Sequence, residues 1–311
     1  MISHIRIVSP SGHLDPALID AATARLRAWG YKVSVGAHAR DDWGRFAGTD
    51  DHRLADLSEA MTDPSVDLIL CSRGGYGLQR IIDRVPAVTK PVLGFSDITA
   101  LHQAAALSGC ATIHGIMCKH IATLPEESEP IRALRRILRG EPLEYTLPAH
   151  PLNRPGTVCA PVVGGNLSVL YGLQGTPYGL QAAASSLSRR EGRKGVSPIL
   201  LIEDICERHY HIDRMIRNLR LSGVLASISG LIVGQFSDCD DDPSMPGTVY
   251  ETIKEAVAEY NYPVLCNAPV GHVEHNLPLW LNTPSVLSVT SGGALIKSMP
   301  LSTAASSARQ S

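Results

Sequence analysis

The sequence predicts an α/β fold, with a parallel sheet in the N-terminal half and a mixed α/β arrangement in the C-terminal half. Three observations carry this. Strand-like runs ("HIRIVSP", "YKVSVG", "VDLILCS", "KPVLGF") alternate with helical spacings over the first 110 residues, the pattern of a sheet covered on both faces. Two strong strand patterns, "VSPILLIED" (196–204) and "ISGLIVGQF" (228–236), recur later among helices. A final pair of alternating runs reads as a hairpin turning on Gly292-Gly293.

The elements follow in order. "HIRIVSP" is the first strand. "DPALIDAATARLRAWG" is a helix with Asp15 as cap, Pro16 at its first position and Gly30 past its end. "YKVSVG" is a strand, "DDHRLADLSEAMTD" a helix and "VDLILCS" a buried strand. "RGGYGLQRIIDRV" reads as loop and helix, and "KPVLGF" as the next strand. Between 122 and 160 one helix is followed by a Pro-rich stretch read as a linker. "AASSLSRREGRKG" (183–195) reads as a solvated loop, and "YHIDRMIRNLRLSG" and "GTVYETIKEAVAEY" as helices. The expected organisation is a first domain over 1–140, a linker over 141–160, a second domain over 161–300 and a disordered tail over 301–311.

At 311 residues, with 44% hydrophobic and 19% charged, the chain has the balance of a globular protein with a sizeable core. Its 28 basic and 30 acidic residues give a formal charge of -2, no reason to expect nucleic acid or an anionic membrane as partner. The N-terminus lacks the basic flank and apolar core of a signal peptide, and no run approaches the roughly 20 apolar residues of a membrane span. The seven scattered cysteines contain no CxxC pair, which fits a reduced, cytoplasmic protein.

Four stretches can carry chemistry. In "KPVLGFSDITALHQAAALSG" (90–109), Ser96 stands on the hinge between strand and helix. It serves either as a helix cap or as a nucleophile lifted to the sheet's carboxyl edge, where the helix start offers backbone N–H groups. The form G-x-S-x-G is not met, since Ile98 occupies its second glycine position. In "CSRGGYG" (71–77) glycines permit close backbone approach, as a tight turn, a phosphate cradle or one side of an oxyanion hole. In "ILLIEDICERHYHIDRM" (199–215) a strand delivers Glu203 and Asp204 to its end, to orient an imidazole or to cap the next helix. In "YPVLCNAPVGHVEHNLPLWL" (262–281) a strand runs into Gly271-His272, with His275 further on. Together these give a Ser–Glu–His set whose geometry one sequence does not fix. A metal reading rests on Cys206, His209, His211, His272 and His275, without a recognised ligand spacing; "DCDDD" (238–242) fails as an EF-hand because Pro243 and Val249 occupy its Gly and Glu positions.

Seven stretches in order, "IVSPSG", "RFAGTDDHRLADL", "SRGGYG", "GFSDITALH", "GGNLSVLYGLQGTPY", "LIEDICERHYHIDRM" and "PVGHVEHNLPL", closely resemble the LD-carboxypeptidases, a serine peptidase family of murein tetrapeptide carboxypeptidases. The resemblance implies an N-terminal α/β domain with a nucleophile elbow and a mixed C-terminal domain carrying acid and base. It places the nucleophile on Ser96, the orienting carboxylate on Glu203 and the general base on His272, with no cofactor and no metal. The Asp97 backbone N–H is the expected first oxyanion donor, with the second on Gly74 or Gly75, and Arg73 is the candidate for the substrate carboxylate. The implied reaction is release of terminal D-alanine from a cell-wall tetrapeptide by cutting an L–D bond, in the cytoplasm, by a homodimer. The alternatives are an amidase of the same family acting on peptidyl-nucleotide antibiotics, a metal-dependent hydrolase, or a non-catalytic ligand-binding module. Two departures from the family pattern, Ile116 and Trp280, are expected to reshape the pocket.

Overall fold

The computed structural model describes residues 2–190 and 197–298. Its first sheet contains five parallel strands: β1 (His4–Val8), β2 (Lys32–Val35), β3 (Leu68–Cys71), β4 (Val92–Gly94) and β5 (Thr112–His114), in the order β5-β4-β3-β1-β2. Helices α1 (Pro16–Ala28), α2 (Asp50–Thr62), α3 (Thr99–Ser108), α4 (Cys118–Thr123) and α5 (Glu129–Leu138) belong to this half. The expected cap forms, with the Asp15 carboxylate accepting from the Ala17 N–H.

The second sheet has β10-β9-β8-β7 parallel and β12-β13-β6 antiparallel to their neighbours. Its strands are β6 (Leu143–Pro148), β7 (Gly156–Asn166), β8 (Ile199–Ile205), β9 (Gly230–Ser237) and β10 (Val264–Leu265), then, after β11 (Leu279–Leu281), the hairpin β12 (Pro284–Thr290) and β13 (Gly293–Ser298). Helices α6 (Leu167–Gly172), α7 (Leu180–Arg190), α8 (His209–Leu221) and α9 (Val249–Ala256) lie between its strands in sequence. The hairpin forms, but it turns at Ser291-Gly292, one residue before the expected Gly292-Gly293, because Gly293 already pairs with Thr290.

Four further readings change. The stretch 141–160 holds β6 and the first part of β7 rather than a linker. Its prolines misled, but β6 is an edge strand with Pro148 at its end, where proline costs no ladder bond. Within 183–195, residues up to 190 are helix α7, whose Leu180, Ala183 and Leu187 form a buried stripe; the remainder of that loop, like the tail 301–311, lies outside the described residues. "GLQRIIDRV" forms two 3₁₀ turns, Leu78–Arg80 and Ile82–Arg84, not a continuous helix. Strand β11 leaves the second half to pair antiparallel with β5, so 279–281 completes the first sheet.

In the first sheet the chain steps from β1 outward to β2, then returns to β3 on the other side of β1. The loops after β1 and β3 therefore diverge and open a crevice at the carboxyl ends of the strands. Arg53 of α2, 1% exposed, ties the two loops together, donating Nη1 to the carbonyls of Pro10 (2.7 Å) and Gly77 (3.0 Å) and pairing with Asp50. Among the described residues no helix is long and apolar enough to cross a membrane.

Candidate active site

Strand β4 ends at Gly94, and two residues later Ser96 has φ +67, a left-handed conformation that a non-glycine residue adopts at a cost of order 1–3 kcal/mol. A 3₁₀ turn, Ser96–Ile98, leads directly into α3. The turn is therefore sharp, and it holds Ser96 half-buried at the wall of a cavity of about 600 Å³. The buried Asp97 carboxylate anchors it, accepting from the Ser11 hydroxyl at 2.6 Å and the Leu78 N–H at 2.9 Å. Those partners belong to the loops after β1 and β3, so both loops are pinned to the Ser96 turn.

Gly74 lies against the serine. A Cβ placed on Gly74 would stand 2.9 Å from Ser96 Oγ, and Gly75 beside it has φ +103. The Gly74 carbonyl accepts from the Gly12 N–H at 3.0 Å, which fixes the turn against the loop after β1. The Gly74 and Gly75 amides donate to no group among the described residues. The Asp97 amide is at a helix start, where the first N–H groups lack intrahelical acceptors. Arg73 also lines the cavity, with Nη1 donating to the His13 carbonyl at 3.0 Å.

The second sheet delivers the other groups. Glu203, fully buried near the carboxyl end of β8, accepts from His272 Nδ1 at 2.8 Å. That bond fixes the imidazole tautomer and leaves Nε2 as the free nitrogen. His272 is 15% exposed and lines the same cavity as Ser96, its ring edge-on to Phe95 at 4.9 Å. No direct hydrogen bond joins the Ser96 hydroxyl to the imidazole; such contacts often shorten only around a bound substrate. Burial alone would raise the Glu203 carboxyl; the imidazoles of His114 and His272 outweigh it and hold the group well below the usual carboxylate range. Gly271, with φ +128, passes close to Glu203: a Cβ there would meet its side chain at 3.0 Å. The sheets are joined behind the site, where Thr99 Oγ1 accepts from the Asn166 N–H at 2.9 Å.

The structure thus brings Ser96, Asp97, Gly74, Gly75, Arg73, Glu203 and His272 together. It does not gather the residues of the metal reading. His209 bonds Thr252, His211 bonds Glu207, His272 bonds Glu203 and His275 pairs with Glu129. A different group converges among the described residues: His38, Asp41 and His52 place ligand atoms within 4.8 Å of one another, away from the cavity lining. Ile116 and Trp280, expected to shape the pocket, are core residues at 0% and 2% exposure and do not line it. Sequence reasoning missed Lys119 and His120, which do line it on α4. Their signal was the short helix after β5, too brief to read by periodicity.

Models described as the LD-carboxypeptidase N-terminal domain and the LD-carboxypeptidase C-terminal domain match residues 5–115 and 160–287. The chain belongs to the LD-carboxypeptidase family. It is 36% identical over 281 residues to a Synechocystis sp. protein provisionally named a carboxypeptidase, covering 86% of this chain and 85% of that one. It is 27% identical over 287 residues to the murein tetrapeptide carboxypeptidase of Pseudomonas aeruginosa, covering 88% and 89%. Its fold matches the muramoyltetrapeptide carboxypeptidase from Oxalobacter formigenes at a TM-score of 0.83 and 22% identity, over 96% of this chain and 99% of that one. It also matches the microcin C7 self immunity protein at a TM-score of 0.80 and 21% identity, over 96% and 97%. As a member of the LD-carboxypeptidase family the protein is an enzyme, a hydrolase of carboxypeptidase type.

Proposed function

We propose that this enzyme is a serine carboxypeptidase that releases the terminal D-alanine of a murein tetrapeptide by cutting an L–D peptide bond. The observation that carries the reading is the 2.8 Å bond from His272 to a fully buried Glu203, at a cavity whose wall also holds Ser96 in a left-handed turn. Ser96 Oγ attacks the scissile carbonyl while His272 Nε2 takes its proton. Glu203 keeps the imidazole in the required tautomer and offsets the charge it gains. The amides of Asp97 and of the Gly74–Gly75 turn are the donors for the developing oxyanion. His272 then returns the proton to the departing amine, and water repeats the sequence on the acyl-enzyme.

The remainder of the cavity suits a small anionic end group. Arg73 and Lys119 contribute cations and, among the described residues, no Asp or Glu lines it, while Leu14, Leu18, Met117 and Ile205 supply apolar wall. A free carboxylate is the group such a setting favours. Incubation with a murein tetrapeptide, followed by mass spectrometry, should show loss of one alanine and accumulation of tripeptide. An unchanged tetrapeptide alongside cleavage of a peptidyl-nucleotide amide would assign the enzyme to the amidase branch instead.

A further inference from the structure

Glu203 has a second oxygen, and its surroundings are unusual. Oε2 receives the His272 N–H, but Oε1 is buried with no hydrogen-bond partner among the described residues. The group facing it is His114 Nε2, 3.6 Å away on a side chain that is also fully buried. Neither ring nitrogen of His114 has a hydrogen-bond partner among the described residues. A buried carboxylate oxygen and a buried imidazole, each lacking a partner and each facing the other, are both costly alone and are satisfied together.

The fold explains the placement. His114 ends β5, in register with Gly94 at the end of β4, the strand that leads into Ser96. Phe95 separates the rings, standing 5.7 Å from His114 and 4.9 Å from His272. On the other side His102 of α3 lies 6.3 Å from His114, its Nε2–H donating to the Gly94 carbonyl at 3.0 Å. The groups around the carboxylate are thus His272 from the loop after β10, His114 from β5, His102 from α3 and Asp204 beside it on β8, with His120 of α4 across the Phe95 ring.

Resting on the triad reading above, we propose that His114 is a positioning residue: its Nε2–H is the second donor to Glu203, holding the carboxylate in place for His272. It touches neither substrate nor reacting atoms and acts through Glu203. A shift of under one ångström closes the gap, of the order expected when an active site tightens on its substrate. Without this donor the carboxylate rotates more freely and becomes more basic. It then binds the His272 proton more tightly, so the base loses that proton at higher pH.

The experiment compares His114→Leu, which has no donor, with His114→Gln, which keeps an N–H, with Ser96→Ala alongside. The Leu variant should lower kcat roughly 10- to 100-fold at unchanged KM and move the acid limb of the pH–rate profile upward, and the Gln variant should recover most of both. Wild-type kcat and an unmoved acid limb in the Leu variant would overturn the role, as would equal losses in Leu and Gln that track their fall in Tm. If the Leu variant does not fold, imidazole ¹⁵N NMR of the wild-type enzyme decides: an Nε2–H tautomer for His114 supports the bond, and an Nδ1–H tautomer overturns it. An active Ser96→Ala would instead remove the serine reading itself, and a dead Ser96→Ala with a normal His114→Leu would remove only this inference.

Discussion

Gly74 and Ser96 are in backbone-to-side-chain contact across the crevice: a Cβ on Gly74 would lie 2.7 Å from the serine's Cβ and 2.9 Å from its Oγ. The Phe95 carbonyl, 3.0 Å away, closes the other side. No side-chain rotation relieves the 2.7 Å contact, because both partners would be Cβ atoms, whose positions the backbone sets. Gly74→Ala should therefore fold, as the change is on a loop, yet displace the serine or the turn amides. The expected loss in kcat is about 100- to 1000-fold, the scale seen when an oxyanion donor is misplaced. Steady-state kinetics with circular dichroism as the fold control checks this; wild-type turnover would show that the turn yields without harm.

Ser96 itself combines strain with function. Ser96→Ala should lose on the order of a million-fold in kcat and all labelling by a serine-reactive phosphonate. Because φ is +67, Ser96→Gly should be the more stable of the two inactive variants, by about 1 kcal/mol. Denaturant unfolding of both variants tests the strain independently of the chemistry. Equal stabilities would mean that the left-handed turn is not a burden on the fold.

Glu203→Gln should cost about ten-thousand-fold in kcat, and His272→Ala more, because the carboxylate acts through the imidazole. The 2.8 Å bond lets an amide present either its oxygen or its NH₂ to Nδ1, so the tautomer is no longer enforced. Rates for the two variants on one substrate settle the order. A Glu203→Gln enzyme with wild-type kcat would remove the carboxylate from the mechanism.

The same residues show what one sequence discloses and what it hides. Ser96, Glu203 and His272 each end an apolar strand or follow one, and strand ends are where a parallel sheet exposes side chains, so these were legible. The run holding Gly74 and Gly75 was legible as a place of close backbone approach, but a tight turn or a phosphate cradle fits the same glycines, and only the family resemblance singled out an oxyanion donor there. His114 and His102 were not legible: each sits inside an apolar pattern that reads as core, and only the pairing of β4 with β5 and the packing of α3 bring them toward Glu203. The strand at 143–148 was hidden by prolines whose edge position no local pattern reveals, and the interior strand at 156–166 by the Pro-rich run that precedes it. Strand β11 pairs with a strand some 165 residues earlier, beyond any window of periodicity.

The buried imidazoles set a pH dependence of stability. Burial, with the neighbouring His114, pushes His102 down to about 3, against about 6.5 in an unfolded chain. Burial, with Lys119 and His272, pushes His120 down to about 4. Between these values the unfolded chain binds protons that the folded chain refuses, so stability is flat above pH ~6.5 and falls on acidification. Each histidine contributes a slope of up to ~1.4 kcal/mol per pH unit within its window. His102→Gln, which can keep an N–H for the Gly94 carbonyl, should remove one such slope between about pH 6 and pH 4. Urea unfolding across that range measures it, and an unaltered slope would mean that His102 is charged in the fold.

The last prediction concerns what holds the substrate's end. Arg73 and Lys119 reach the cavity from the loop after β3 and from α4, both with exposed side chains. Arg73 has one guanidinium nitrogen committed to the His13 carbonyl, which fixes the head and leaves other N–H groups to point at a ligand. If these cations receive the terminal carboxylate, removing either should raise KM more than it lowers kcat, because the contact is made equally in the ground and transition states. Losing a charge-assisted bond of about 1–3 kcal/mol corresponds to roughly 5- to 150-fold in kcat/KM. A peptide amidated at its C-terminus should suffer a loss of the same order with the wild-type enzyme. It should also be nearly indifferent to Arg73→Ala and Lys119→Ala, since the partner of those cations is already gone. The four combinations of enzyme and substrate form a double-mutant cycle whose coupling isolates the contact from any general disturbance of the pocket. Additive losses would place the carboxylate elsewhere, and equal cleavage of acid and amide by the wild type would make the enzyme a general amidase rather than a carboxypeptidase.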